Sequence, residues 1–265
     1  MVKVCVLKSE HPDVRKALDI IDFTPSECDL VVIKPDLCST SFVREEMTDL
    51  GLVEQVLKIY EGRARCAVVG NDSHDMKAEE CFERTGVSEL CERYDADTVN
   101  LDKDVKIPVE RDYLVLKNFK MPTTILKADV FVDMPKMKTS ETTTVSLGLM
   151  NLFDIIPGKR EVYSPKIAES ICDIMDIRKP DINIMDGIIC TEGSGQRRRQ
   201  KRMDLILASE DTVALDITAC RIMGINPINV EHIFRAGYSG FGEYTEKNIT
   251  IVGRSVDEVR DKFEY

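Results

Sequence analysis

The sequence has little of what several specialised protein classes require. Its nine cysteines, at 5, 28, 38, 66, 81, 91, 172, 190 and 220, contain no Cys-x-x-Cys pair. That spacing lets one turn present two thiolates to one metal, so a zinc or ferredoxin-type site built by this chain alone is not expected. Three histidines, His11, His74 and His232, are too few for a multi-histidine metal centre. No apolar run reaches the roughly 18 residues that a membrane span needs. The opening stretch MVKVCVLKSEHPDVRK meets a proline and charges too early for a secretory signal. Neither G-x-x-x-x-G-K-[ST] nor G-x-G-x-x-G occurs, so there is no nucleotide fingerprint. Repeats, low-complexity tracts and linkers are missing too. Positive charge is in deficit, with 36 basic against 47 acidic side chains and a net charge of −11, which argues against nucleic acid or a membrane surface as partner.

What is present is a chain of 265 residues, 43% apolar and 31% charged, long enough to bury a substantial core. Cys5, Cys66 and Cys220 sit in apolar stretches and read as small core residues in a reducing, cytoplasmic protein. Cys38, after a proline-containing strand end, and Cys190, beside a glycine-rich loop, stand apart.

Short apolar runs at Val2–Leu7, Leu30–Ile33, Arg65–Val69 and Val130–Met134 suit strands buried on both faces of a sheet. Helical spacing appears between them, over His11–Asp22, over Ser41–Tyr60 with Gly51 as a break, and over Lys77–Arg93 split at Gly86. The stretch 95–127 is less regular, and Tyr113–Leu116 reads as a strand of a smaller subsheet. Further on come a helix at Ile167–Met175, a strand in DINIMDGIIC, and another at Met203–Ala208. A helix capped by Asp211 follows and ends at Gly224. The expected fold is α/β in three layers, a mostly parallel or mixed sheet with helices on both faces. It forms one domain over 1–265, compact or in two lobes.

In open α/β sheets ligands bind beyond the carboxyl ends of strands. Those ends here carry Lys34-Pro35-Asp36, Gly70-Asn71-Asp72-Ser73-His74, Pro135-Lys136-Met137-Lys138 and Asp186-Gly187. In an extended segment Lys136 and Lys138 share a face, and two ammonium groups so close repel unless an anion lies between them. Lys34 either reaches solvent or joins such a site. The TEGSG loop, with Gly193 and Gly195, offers backbone N–H groups as a phosphate nest would. Arg197 opens a run of five positive charges in six residues, a solvated loop or an anion clamp. Asn151 interrupts an apolar helical stretch and must find partners there, structural or ligand. Asp72, Asp186 and Asp216 are the candidate acid–base carboxylates, although Asp216 also fits the first turn of a helix. Oxygen ligands from Asp36, Asp72, Asp186 or Glu192, with His74 as a weaker candidate, would select a hard divalent cation such as magnesium.

The ordered series KPDL, GND, PKMKT, LGLMNLFDIIPGKR, INIMDGI…TEGSG and DTVALDITACRIMGI resembles the domain of unknown function 362 family over roughly residues 28–240. That family typically shows a KPN strand end, PKxKTH, KNLFG, DGI…EGxGP and DxVAxDxxA. This chain departs from the pattern at Asp36 (Asn), Ser140 (His), Met150 (Lys) and Gln196 (Pro). Many relatives carry a ferredoxin-like module, which implies redox or metallocofactor chemistry; this chain has no such cysteine motif. The segment ending IIPGKR is faintly similar to the lactate-racemase family, but without its histidines no nickel pincer cofactor is expected.

Two readings follow. In the first, Lys34, Lys136 and Lys138, with Asn151, Gly193, Gly195 and Arg197, hold a small phosphate or carboxylate ligand, and an enzyme is one form this takes. In the second, the chain is a non-catalytic accessory of an iron–sulfur system, Cys38 and Cys190 completing a cluster with a second protein.

Overall fold

The computed structural model describes residues 1–37, 43–73, 75–193 and 195–265. The chain opens with β1 (Val2–Lys8), α1 (Val14–Ile20), β2 (Leu30–Pro35), α2 (Leu50–Tyr60) and β3 (Arg65–Gly70). Next come α3 (Ala78–Thr85), α4 (Val87–Arg93), β4 (Asp97–Asn100), β5 (Lys106–Pro108), β6 (Lys120–Pro122) and α5 (Thr123–Leu126). The middle holds β7 (Val130–Met134), β8 (Lys136–Ser140), β9 (Thr144–Ser146), α6 (Gly148–Phe153), α7 (Ile167–Ile177) and β10 (Ile182–Glu192). The last part comprises β11 (Arg199–Ser209), α8 (Thr212–Ile222), α9 (Glu231–Tyr238), β12 (Ile249–Gly253) and α10 (Val256–Val259).

The main sheet runs β12-β1-β11-β10-β7-β2-β3-β4. Every pairing along it is parallel except those made by β11, which is antiparallel to both β1 and β10. The sheet is therefore mixed, and α/β architecture in three layers is observed. Successive residues of a strand point to opposite faces, and both faces are dry. Leu30 and Val32 of β2 join the cluster formed with α5–α10, while Val31 and Ile33 join the one formed with α1–α4. Each such Val, Ile or Leu contributes roughly 1.5–3 kcal/mol by leaving water. This double burial is why the strands read as unbroken apolar runs. β10 is long and irregular at Gly187–Ile189. β11 stays its neighbour on both sides of that point, while its other edge passes from β7 to β8, to which β9 adds.

Three local expectations change. Gly51 does not break a helix; it lies in the first turn of α2, where its N–H donates to the capping Asp49 carboxylate at 2.8 Å. The helix starts only at Leu50 because Asp49 supplies that cap. Tyr113–Leu116 is not a strand: the N–H groups of Leu114, Val115 and Leu116 all donate to the Asp173 carboxylate of α7. The subsheet in this region consists instead of β5 and β6. Finally, most of the basic run belongs to β11 rather than to a solvated loop, because β11 extends back to Arg199. Among the described residues, no helix is long and apolar enough to cross a membrane.

Candidate functional site

Parallel pairing of β2 with β7 sets Lys34 beside Asp133, and pairing of β10 with β8 sets Asp186 beside Lys136. Two cation–acid couples thus form, one near the carboxyl ends of β2 and β7 and one where β8 begins beside the first half of β10, with all four side chains buried. Asn151 of α6 locks the first couple. Its Oδ1 accepts from Lys34 Nζ at 2.9 Å, and its Nδ2 donates to the Lys34 carbonyl at 3.0 Å and to Asp133 Oδ1 at 2.7 Å. Asp133 Oδ2 is buried and makes no hydrogen bond. Burial raises the Asp133 pKa well above the ordinary carboxylate range, against the opposing pull of Lys34 and of the Asn151 bond.

The second couple is a 2.7 Å ion pair between Lys136 Nζ and Asp186 Oδ2. That same oxygen accepts from the Asp49 N–H at 2.8 Å, and Asp186 Oδ1 accepts from the Ile188 N–H at 2.9 Å. The carboxylate thereby ties the irregularity in β10 to the start of α2. Two residues further along β8, Lys138 pairs with Asp36 at 2.6 Å. The two lysines do need anions nearby, and the chain supplies one to each. Thr48 braces this edge, its hydroxyl donating to the Met134 carbonyl and accepting from the Asp36 N–H.

Over this floor lies a cleft of about 240 Å³, lined by Lys136 together with Arg44, Met47, Thr48, Asp49 and Ile188. Lys136 is nearly covered, with 3% of its side chain exposed, yet it reaches the cleft wall. Arg44 is exposed and donates to the Thr85 carbonyl at 3.3 Å.

The structure gathers Lys34, Asp36, Lys136, Lys138, Asn151 and Asp186 and leaves the other candidates elsewhere. Asp72 caps α3 by accepting from the Ala78 N–H and also takes bonds from Lys77 and Asn100. Burial there would raise its pKa, but these donors outweigh it and leave the carboxyl lowered. Asp216 accepts from the N–H groups of Gly148 and Leu149 at 2.8 and 2.9 Å, capping α6 from inside the core. Glu192 is buried beneath Arg199 and Lys201. Gly193 gives its N–H to the Glu264 carbonyl at 2.7 Å, so that amide is not available to a phosphate. Gly195 and Arg197 are exposed at the β10–β11 turn. The rest of the basic run is matched locally, Arg198 by Glu46, Arg199 by Glu192 and Glu264, Lys201 by Asp261, and Arg202 by Asp204. Cys190 is fully buried, and burial pushes its thiol pKa far up. Cys38 and His74 lie outside the described residues. Among the described residues, no three His, Cys, Asp or Glu side chains converge as a metal site would.

Sequence reasoning missed Asp133, Arg44, Thr48 and Asp49. For Asp133 a signal existed: one acid in the otherwise apolar strand VFVDM.

A three-layer α/β protein with paired lysines and acids at its strand ends is the class this geometry defines. Residues 31–221 match the model of the domain of unknown function DUF362, and the chain belongs to that family. It is 24% identical over 212 residues to a thylakoid-associated protein of Synechocystis sp., a match over 76% of this chain that spans 65% of the relative's length. A crystal structure of a Thermotoga maritima protein superposes with a TM-score of 0.38 at 12% identity, covering 77% of this chain and 57% of that one.

Proposed function

We propose that the protein binds a small phosphate- or carboxylate-bearing ligand in the cleft above β8 and the start of α2. Lys136 meets it from the floor and Arg44 from the mouth, while Lys34, Lys138 and Asn151 hold the floor in place. The observation that carries this reading is Lys136, a nearly buried ammonium that nonetheless lines an open cleft. A buried cation with one acid partner keeps donor capacity, since an ammonium has three N–H groups. Asp72, Asp186 and Asp216 are not among the cleft-lining residues, so the reading is of a binding site rather than of a particular reaction. The accessory iron–sulfur reading gains no support, because Cys190 is sealed in the core.

Calorimetric titration with inorganic phosphate and with acetate tests this. Arg44→Ala is exposed and should fold normally while weakening phosphate binding roughly tenfold, as expected for one charge-assisted contact. Lys136→Met should also weaken it, but at a stability cost of about 3–5 kcal/mol because Asp186 loses its buried partner. Absence of binding by both anions, or binding unchanged in Arg44→Ala, would refute the proposal.

A further inference from the structure

On the face of the sheet opposite the cleft, the threonine-rich segment between β8 and β9 meets the α7–α9 layer. A cavity of about 360 Å³ opens there, within the size range of small-molecule sites. Its lining is hydroxyl- and amide-rich: Thr142, Thr144, Ser164 and Asn229, with Glu169, Glu231 and His232.

Two independent features mark the cavity. His232 of α9 is 2% exposed, and its Nε2 has no hydrogen-bond partner. Buried polar atoms are seldom left so, because an unmade bond costs the full desolvation of the atom. Thr144, a β-branched residue, has φ +69°, a conformation that such residues rarely adopt and that recurs at ligand sites.

We propose that this cavity is a second binding site, taking a small neutral, hydroxyl-bearing molecule of polyol or monosaccharide type that hydrogen-bonds to His232 Nε2. The charges present disfavour an anion: Glu169 and Glu231 share one guanidinium, that of Arg235, at 3.4 and 3.6 Å. Burial holds the His232 pKa down at about 4, so the ring brings no positive charge at neutral pH. A divalent cation is disfavoured because no metal-ligating trio converges among the described residues. Pro165, Ile167 and Ala168 complete the lining with an apolar side suited to the C–H face of a polyol.

Saturation-transfer NMR with glycerol, myo-inositol and D-glucose as neutral probes, and with inorganic phosphate and magnesium as competitors, tests the assignment. At least one neutral probe should bind without displacement by either ion. His232→Phe keeps the ring but removes the nitrogen, and should weaken that binding roughly three- to tenfold, the equivalent of one hydrogen bond. Asn229→Ala, at an exposed position, should weaken it by a similar factor and serves if His232→Phe does not fold. Arg44→Ala should leave it unchanged, which separates this site from the anion cleft. The proposal is overturned if none of the three probes binds, if binding survives both variants, or if phosphate or magnesium competes.

Discussion

A carboxyl group with no solvent contact must be stabilised by its partners or be pushed towards its neutral form, and this chain shows both tendencies within one layer. Asp186 stays paired, held by an ammonium and two backbone N–H groups. Asp133 has one donor for two oxygens, and burial raises its pKa well above the ordinary carboxylate range. Asp216 lies between these limits: burial pushes its pKa up to about 7, although the N–H groups of Leu149 and Gly148 pull the other way. The ordinary unfolded value is about 3.9, so from about pH 4 to about pH 7 the native state holds a proton that the unfolded chain has released. Stability from this residue is therefore fully present below that window, falls as pH rises through it, and is level above. Urea unfolding of the protein and of Asp216→Asn at pH 5 and pH 8 should show it. The advantage of the natural residue should shrink by on the order of 2 kcal/mol at the higher pH. An equal difference at both values would mean that Asp216 is ionised throughout.

At the scale of elements, the central strands were legible because burial on both faces leaves an apolar run, as in LVVI of β2 ahead of Lys34. Helices were legible where a cap and a period agree, as at Asp211 before α8, whose side chain accepts from the Ala214 N–H. Tyr113–Leu116 was misread because its apolar pattern is a strand's, while its backbone bonds go to an acid some 57–59 residues away, a partner that no local pattern reveals. In the glycine loop, too, a distant partner decides the geometry, since Gly193 takes a tight turn and gives its N–H to the Glu264 carbonyl. Gly193 has φ +79°, and a Cβ there would stand 2.4 Å from the Arg197 carbonyl oxygen. Gly158, at φ +81°, faces open space. Gly158→Ala should thus cost about 1 kcal/mol, the left-handed penalty less the entropy regained. Gly193→Ala adds a backbone collision that must be relieved by moving the turn, about 1–3 kcal/mol more. Comparable denaturant midpoints for the two variants would contradict this account of the turn.

For the whole molecule, half of the candidate site could be read in advance. Lys34, Lys136 and Lys138 announce themselves as charges closing apolar runs. Which acid each lysine meets could not be read, because the register Lys34–Asp133 needs β7 beside β2 and Lys136–Asp186 needs β8 beside β10, and strand order is a property of the complete sheet. The same holds for the far end of β10, which the last residues of the chain bind to the body. Asp261 N–H donates to the Ile222 carbonyl and Phe263 N–H to that of Met223, both at the end of α8, while Glu264 N–H donates to Glu192. Lys201 of β11 closes the seam, with its Nζ 3.0 Å from Asp261 and 4.8 Å from the centre of the Phe263 ring. Phe263 is 1% exposed, whereas Tyr265, two residues on, is 68% exposed. If this seam holds the β10–β11 extension in place, Phe263→Ala should cost about 3–5 kcal/mol, the usual range for emptying a buried aromatic site. Tyr265→Ala should stay within about 0.5 kcal/mol of the natural protein. Hydrogen exchange should then place the loss: amides of residues 188–192 and 199–202 should exchange faster in Phe263→Ala, while those of β2 and β3 change no more than the global loss of stability requires. Uniform acceleration across the sheet would show that the terminal segment supports the core as a whole and not this extension in particular.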